Sequence, residues 1–156
     1  MAPILSFTAE ELWEVLNKKK DDSVFFTTWH ELPAPADAAS LVEKWARLRE
    51  LRNPVRKEIE ALRADGKVGS SLQAEVDFQA EGADYDALAS LGAELKFLFM
   101  TSTVNLRKGN SQVKAKPSGH AKCERCWHYT PDVNEEALCG RCQTNLRGPG
   151  ETRKHV

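Results

Sequence analysis

The feature that most constrains this chain is the placement of its cysteines. All four fall near the C-terminal end, as Cys123-x-x-Cys126 and Cys139-x-x-Cys142, with twelve residues between the pairs. An even cysteine count is compatible with two disulfides or with a redox dithiol, but nothing else in the sequence points to an oxidising compartment. Two tight knuckles at this separation fit a closed tetrahedral site, in which each pair chelates through two thiolates and the intervening loop brings the pairs to one ion. The expected cofactor is a single structural Zn2+ held by Cys123, Cys126, Cys139 and Cys142. Four thiolates leave no open position for water, so such an ion builds structure and performs no hydrolysis. Gly140, inside the second pair, is expected to let the backbone turn back around the metal.

Charge divides the chain at about the same place. Residues 107–156 carry ten Lys or Arg against five Asp or Glu, a net +5, which leaves −6 for residues 1–106 of a chain whose total is −1. A basic C-terminal third is an electrostatic footprint for a polyanion, although a solubilising tail has the same composition. With 41% hydrophobic and 29% charged residues the composition is that of a globular protein, and the 156 residues suit one domain or two small ones. No apolar run approaches the roughly 20 residues needed to cross a bilayer, and the N-terminus lacks the pattern of a secretory signal. A cytoplasmic location is expected.

Local patterns predict an α+β layout. Thr8 with Glu11 reads as a capping box, and Phe7 with Leu12 as a hydrophobic staple, opening a helix whose Leu12, Val15 and Leu16 share a face and which ends near Lys18–Lys20. A short apolar stretch over 24–29 leads into a Pro-rich turn. Leu41, Trp45, Leu48, Val55, Ile59 and Leu62 then recur at helical spacing from about Ala38 to Ala64. Pro54 allows either one kinked helix or two abutting ones. Arg49, Arg52, Arg56 and Arg63 fall within about 60° of one another on its flank, as a solvated face or a binding face. Leu72, Ala74, Val76 and Phe78 alternate with polar residues as in a half-buried strand. Asp84 to Leu91 reads as a short helix stopped by Gly92, and Glu94 to Thr101 as a second strand. Val104–Arg107 and Gln112–Lys116 read as further strands with a turn at Gly109-Asn110. Pro117-Ser118-Gly119 forms a hinge into the cysteine segment.

Three stretches carry a resemblance. Pro3-Ile4-Leu5-Ser6-Phe7-Thr8-Ala9-Glu10-Glu11-Leu12-Trp13 resembles a segment late in the anticodon-binding helical domain of bacterial isoleucyl-tRNA synthetases. Trp45 through Arg63, with Lys67-Val68-Gly69-Ser70-Ser71-Leu72-Gln73-Ala74, is similar to the block that follows in those enzymes. Lys122-Cys123-Glu124-Arg125-Cys126-Trp127-His128-Tyr129 and Cys139-Gly140-Arg141-Cys142 resemble their C-terminal zinc segment, and the Cys-x-Arg-Cys-Trp-x-Tyr cluster is the most specific element. The resemblance runs in order over nearly the whole chain. It implies the C-terminal part of a helical anticodon-binding domain (1–66), a small α/β domain (67–117), a zinc knuckle (118–146) and a flexible tail (147–156).

The same resemblance implies a function. Its partner would be the anticodon stem-loop of isoleucine tRNA, with the remainder of the synthetase in cis, the chain monomeric and no membrane involved. Lys114, Lys116, Lys122, Arg125 and Arg141 would contact phosphates, and Trp127 and Tyr129 would offer platforms for unstacked bases. Trp127 could equally be the small core of the knuckle. His128 is expected at the surface, and His155 with Arg147, Arg153 and Lys154 in the tail. Neither His-Ile-Gly-His nor Lys-Met-Ser-Lys-Ser type signatures of a class I synthetase occur; Lys67-Val68-Gly69-Ser70-Ser71 is a superficial echo of the second. Catalysis is therefore not expected from these residues, which would serve ATP-dependent isoleucylation by binding tRNA. Two other readings remain. One is the four-cysteine finger of a DNA glycosylase, which the absence of a Pro-Glu start disfavours. The other is a purely structural zinc module.

Overall fold

A computed structural model describes residues 1–17, 21–29 and 31–152. The Lys18–Lys20 run, His30, Arg153, Lys154 and His155 lie outside the described residues. The chain forms two compact units, Met1–Ala38 and Ala39–Val156. Among the described residues, no helix is long and apolar enough to cross a membrane.

The first unit contains α1 (Ser6–Asn17) and a 3-10 turn over Val24–Phe26. The expected capping box is not formed: the helix begins at Ser6, which places Thr8 and Phe7 inside it, and Phe7 is 88% exposed rather than stapled to Leu12. Residues 1–5 already turn, with the Ile4 and Leu5 amides both donating to the Met1 carbonyl, and the Leu5 carbonyl accepts from Ala9 at 2.8 Å. That turn feeds the helix three residues earlier than a Thr8 cap would. The Glu10 carboxylate accepts from the Ser23 hydroxyl at 2.9 Å and the Val24 amide at 3.0 Å, tying the helix to the 3-10 turn. Leu12, Val15 and Leu16 remain exposed.

The second unit begins within α2 (Ala38–Ala64), one continuous helix with Pro54 inside it. Pro54 is exposed, so the carbonyl deprived of its amide partner faces the side where water can serve it. Leu48, Leu51, Val55 and Ile59 form the buried stripe. Leu51 was not in the predicted set; it widens the stripe on the side away from the arginines. The helix ends in a Schellman arrangement, with Gly66 at φ +70° and the Lys67 amide reaching back to the Leu62 carbonyl at 2.9 Å.

After a 3-10 turn (Ser71–Gln73) come β1 (Ala74–Ala80), α3 (Gly82–Ala89), a 3-10 turn (Gly92–Glu94), α4 (Leu95–Phe99), β2 (Thr103–Lys108) and β3 (Gln112–Pro117). The predicted strand over Glu94–Thr101 is a correction: those residues form the 3-10 turn and α4, which stops at Met100 with φ +57°. A short apolar run does not distinguish the two conformations by itself. Leu95 and Phe99, four apart, bury together on a helical face, whereas both edges of β1 are taken by β2 and β3. β1 is central, parallel to β2 and antiparallel to β3, so the consecutive strands β2 and β3 do not pair. Their connection crosses the end of β1, where the Gly109 amide donates to Ala80 O at 3.0 Å.

One core joins the α2 stripe to Val76, Phe78 and Ala80 of β1, Leu88 of α3, and Leu95 and Phe99 of α4. Phe78 and Phe99 stack with centroids 5.8 Å apart. The architecture is α+β, as the sequence predicts. Beyond β3 the chain forms β4 (Ala121–Lys122), β5 (Tyr129–Thr130) and α5 (Gly140–Arg147), which carry the cysteines.

Candidate metal centre and nucleic-acid interface

β4 and β5 pair antiparallel, with Lys122 opposite Tyr129, and the first cysteine pair lies in the turn between them. The turn closes through two backbone bonds, Trp127 N to Cys123 O at 2.8 Å and Cys123 N to His128 O at 2.9 Å. To close it, Trp127 takes φ +64°, a left-handed conformation that costs a residue with a Cβ about 1–2 kcal/mol. The second pair starts α5, with Cys139 at the N-cap and Cys142 in the first turn. The Glu124 amide donates to Ala137 O at 2.9 Å, joining the two knuckles by backbone.

The four sulfurs all lie within 4.8 Å of one another, none in a disulfide, and Cys123, Cys139 and Cys142 are buried. The sulfurs of Cys126 and Cys139 are 3.7 Å apart. Burial alone would raise the Cys123 thiol, but the amides of Cys126, Cys139 and Arg125 converge on its sulfur and bring it down to about 6. Burial pushes Cys142 up and Cys139 up to about 12. Four such thiols cannot all ionise side by side without a cation to offset their repulsion. A soft-ligand, closed, four-sulfur cluster of this size fits a tetrahedral zinc ion.

Basic side chains complete the charge balance. A zinc tetrathiolate carries an excess of negative charge. The Arg125 Nη1 donates to the Cys142 sulfur at 3.6 Å. Arg141 pairs with Glu151 at 3.3 Å and lies over the Phe97 ring, 5.2 Å from its centroid. Two of the residues predicted to meet phosphates thus also face the metal cluster or its neighbours. Arg125 remains exposed, whereas the Arg141 side chain is only 22% exposed.

The other predicted contact residues are spread over the adjoining surface. Trp127 is 58% exposed and so is not the core of the knuckle; the Lys122 Nζ sits 6.0 Å from its ring centroid. Tyr129 is half-buried, with its amide donating to the Ser102 hydroxyl at 2.6 Å. Lys114 and Lys116 are exposed on β3. Lys116 reaches Glu75 at 3.4 Å, and the Ser118 hydroxyl donates to the same carboxylate at 2.8 Å, which fastens the hinge to β1. Arg147, predicted for the tail, lies in the last turn of α5 and pairs with Glu136 at 2.9 Å.

Two expectations are corrected here. His128 is buried, not at the surface. Its Nδ1 lies 3.2 Å from the Cys126 carbonyl, which can only accept, so the proton sits on that nitrogen; burial lowers its basicity, and Phe97 meets the ring edge-on at 5.8 Å. Gly140 is not in a left-handed conformation. It is needed because a Cβ there would sit 2.8 Å from Asp132 Oδ2, which accepts the Gly140 amide at 2.9 Å. The Thr130 hydroxyl and that amide hold the Asp132 carboxyl below its ordinary range. Asp132 and Ser102 have no sequence signal of their own, since each acts through a contact with a distant segment. Phe97 was hidden by the strand assignment.

Comparison with known proteins follows the same division of the chain. Residues 1–78 match the family described as the anticodon-binding domain of tRNA ligase. The chain belongs to this family. Residues 122–145 match a zinc finger found in FPG and IleRS, so the chain carries a zinc finger whose four clustered cysteines can bind one zinc ion. It is 54% identical over 158 residues to an isoleucine–tRNA ligase of Dechloromonas aromatica, a match covering 98% of this chain and 17% of that protein. It is 52% identical over 164 residues to that of an Azoarcus species, covering 100% and 18% respectively. To that of Aromatoleum aromaticum it is 48% identical, with the same coverages of 100% and 18%. The chain thus spans less than a fifth of the length of the ligases it matches.

Proposed function

We propose that this chain is the tRNA-binding C-terminal part of an isoleucine–tRNA ligase and acts in ATP-dependent isoleucylation by gripping the anticodon stem-loop of isoleucine tRNA. In this reading residues 1–66 complete a helical anticodon-binding domain, 67–117 form a small α/β domain, 118–146 the zinc knuckle and 147–156 a tail. The rest of the synthetase works in cis, in the cytoplasm, with the chain contributing as a monomer. Cys123, Cys126, Cys139 and Cys142 hold the zinc.

The observation that carries the reading is Trp127. An indole held outward in a left-handed backbone, 58% exposed beside Lys122, serves no core and offers a rigid face for an unstacked base. Lys114, Lys116, Lys122, Arg125 and Arg141 supply phosphate attraction, and Tyr129 offers a second aromatic surface. A finger that reads duplex DNA is the second reading supported by a match, since the same zinc-finger family includes FPG proteins. The anticodon-domain match over residues 1–78 favours RNA.

The test is binding of the zinc-loaded chain to isoleucine tRNA, valine tRNA and duplex DNA at one fixed salt, with a chelated control. Preference for isoleucine tRNA that vanishes on chelation is expected. Preference for the duplex overturns the proposal, and equal weak binding to all three leaves zinc with a structural role only.

A further inference from the structure

The two stretches that match known families, residues 1–78 and 122–145, leave α4 between them. Along that helix Leu95 and Phe99 are buried in the core. Phe97, midway between them, lies about 200° round from Leu95 and leaves the core on the other side. Its half-buried ring meets the zinc finger instead. The His128 ring stands edge-on to it with centroids 5.8 Å apart, and the Arg141 guanidinium lies 5.2 Å from its centroid. His128 follows the first cysteine pair and Arg141 sits inside the second, so one aromatic ring meets both knuckles.

Both contacts are held from behind. Arg141 pairs with Glu151 at 3.3 Å, and the Cys126 carbonyl accepts from His128 Nδ1 at 3.2 Å. His128 adjoins Trp127, and the turn that carries the two is closed by the bonds from Trp127 N to Cys123 O and from Cys123 N to His128 O. A shift at His128 is therefore passed directly to the indole. β4 and β5, two residues each, have too few ladder bonds to fix this turn by themselves. The Tyr129 amide on the Ser102 hydroxyl at 2.6 Å and the Ser118 hydroxyl on Glu75 at 2.8 Å fasten β5 and the hinge rather than the turn.

We propose that Phe97 is a positioning residue for RNA binding: its ring is the wedge that docks both knuckles on α4 and fixes the direction in which Trp127 faces. The inference rests on the tRNA-binding function proposed above and adds a residue that is neither an RNA contact nor a zinc ligand. An aromatic ring suits the place because its π-system receives both the guanidinium and the edge-on imidazole. A leucine fills much of the same space and offers neither interaction.

The test is a double-mutant cycle on the full zinc-loaded chain, with Phe97→Leu, Trp127→Gly and the two combined, reading isoleucine tRNA affinity at one fixed salt. Phe97→Tyr serves as the conservative variant, and zinc stoichiometry and thermal melting are read for each protein. Phe97→Leu should keep one zinc per chain and weaken tRNA binding about tenfold, within the loss expected for one stacked base. The combined variant should bind no more weakly than Trp127→Gly alone, because residues that act through one contact are not additive. Phe97→Tyr should bind as tightly as wild type. Additive losses, wild-type affinity in Phe97→Leu, or a Tyr variant as weak as the Leu variant overturns the inference. So does loss of zinc or of cooperative melting in Phe97→Leu, which would make the ring part of the knuckle's framework. If the unsubstituted chain binds no tRNA, or Trp127→Gly binds it as tightly as wild type, the proposed function itself falls; neither outcome depends on a Phe97 variant.

Discussion

The β-sheet core and the cysteine knuckle lie in one unit of the fold and are stabilised by different physics. The core buries twelve apolar residues from α2, β1, α3, α4 and the segments between them, including the stacked Phe78 and Phe99. Among the described residues, the knuckle's apolar cluster is three buried cysteines with Cys126, Val133 and Leu138 packed against them. Its strands are two residues long. Apolar burial at about 25 cal/mol per Å² can hold the first together; the second has too little such surface, and binding of a metal must supply its folding energy. Loss of zinc and loss of core packing should therefore be separable.

Removing a zinc ligand should separate the two regions most clearly. Cys142→Ser should abolish zinc binding and expose the amides of residues 121–147 to hydrogen exchange, while β1–β3 stay protected; structural zinc sites contribute about 10–16 kcal/mol in isolated fingers. Protection lost in both regions together would mean that the core depends on the metal. Conversely, Phe78→Ala should cost about 3–5 kcal/mol in urea unfolding and leave zinc stoichiometry at one per chain.

Ser102 tests how the two regions are coupled. Its hydroxyl donates to Leu72 O and accepts the Tyr129 amide, bridging the sheet to β5. Ser102→Ala should cost about 1–3 kcal/mol by leaving the buried partners unpaired, with slower exchange partners in β1 less affected than β5.

Trp127→Gly relieves a left-handed residue at the expense of chain entropy, so stability should stay within about 1 kcal/mol of wild type. On the proposed function tRNA affinity should nevertheless drop by about 1–3 kcal/mol, the stacking contribution of one base. A large loss of stability would return Trp127 to the knuckle's framework.

The smallest effect concerns the Arg47–Asp84 pair. The Arg47 guanidinium bonds hold the Asp84 carboxyl below its usual value. A carboxyl depressed in the folded state contributes stability above its unfolded pKa and loses it as pH falls through the folded one. Wild type and Arg47→Gln should therefore differ slightly at neutral pH and converge in acid, as thermal melts across pH would record. The pair is solvent-exposed, so the difference is small.

The parts that depend on local chemistry are legible in the sequence. The cysteine spacing specifies a tetrahedral thiolate cluster wherever it is placed, since each knuckle is closed within four residues. The apolar period of α2 identifies a helix over Ala38–Ala64, and the alternation at Ala74–Phe78 identifies a strand, although as the central strand β1 exposes none of its residues. Features that depend on neighbours far along the chain appear only in the packed fold. Leu95–Phe99 is helical with Leu95 and Phe99, four apart, buried in the core beside Phe78, and an apolar run carries no record of that. His128 went inward because Phe97 and the Cys126 carbonyl receive it. Gly140 is required by the approach of Asp132, eight residues away, and not by its own dihedral. Only the packed structure pairs Arg47 of α2 with Asp84, because the acids that come within reach of a side chain are set by the fold.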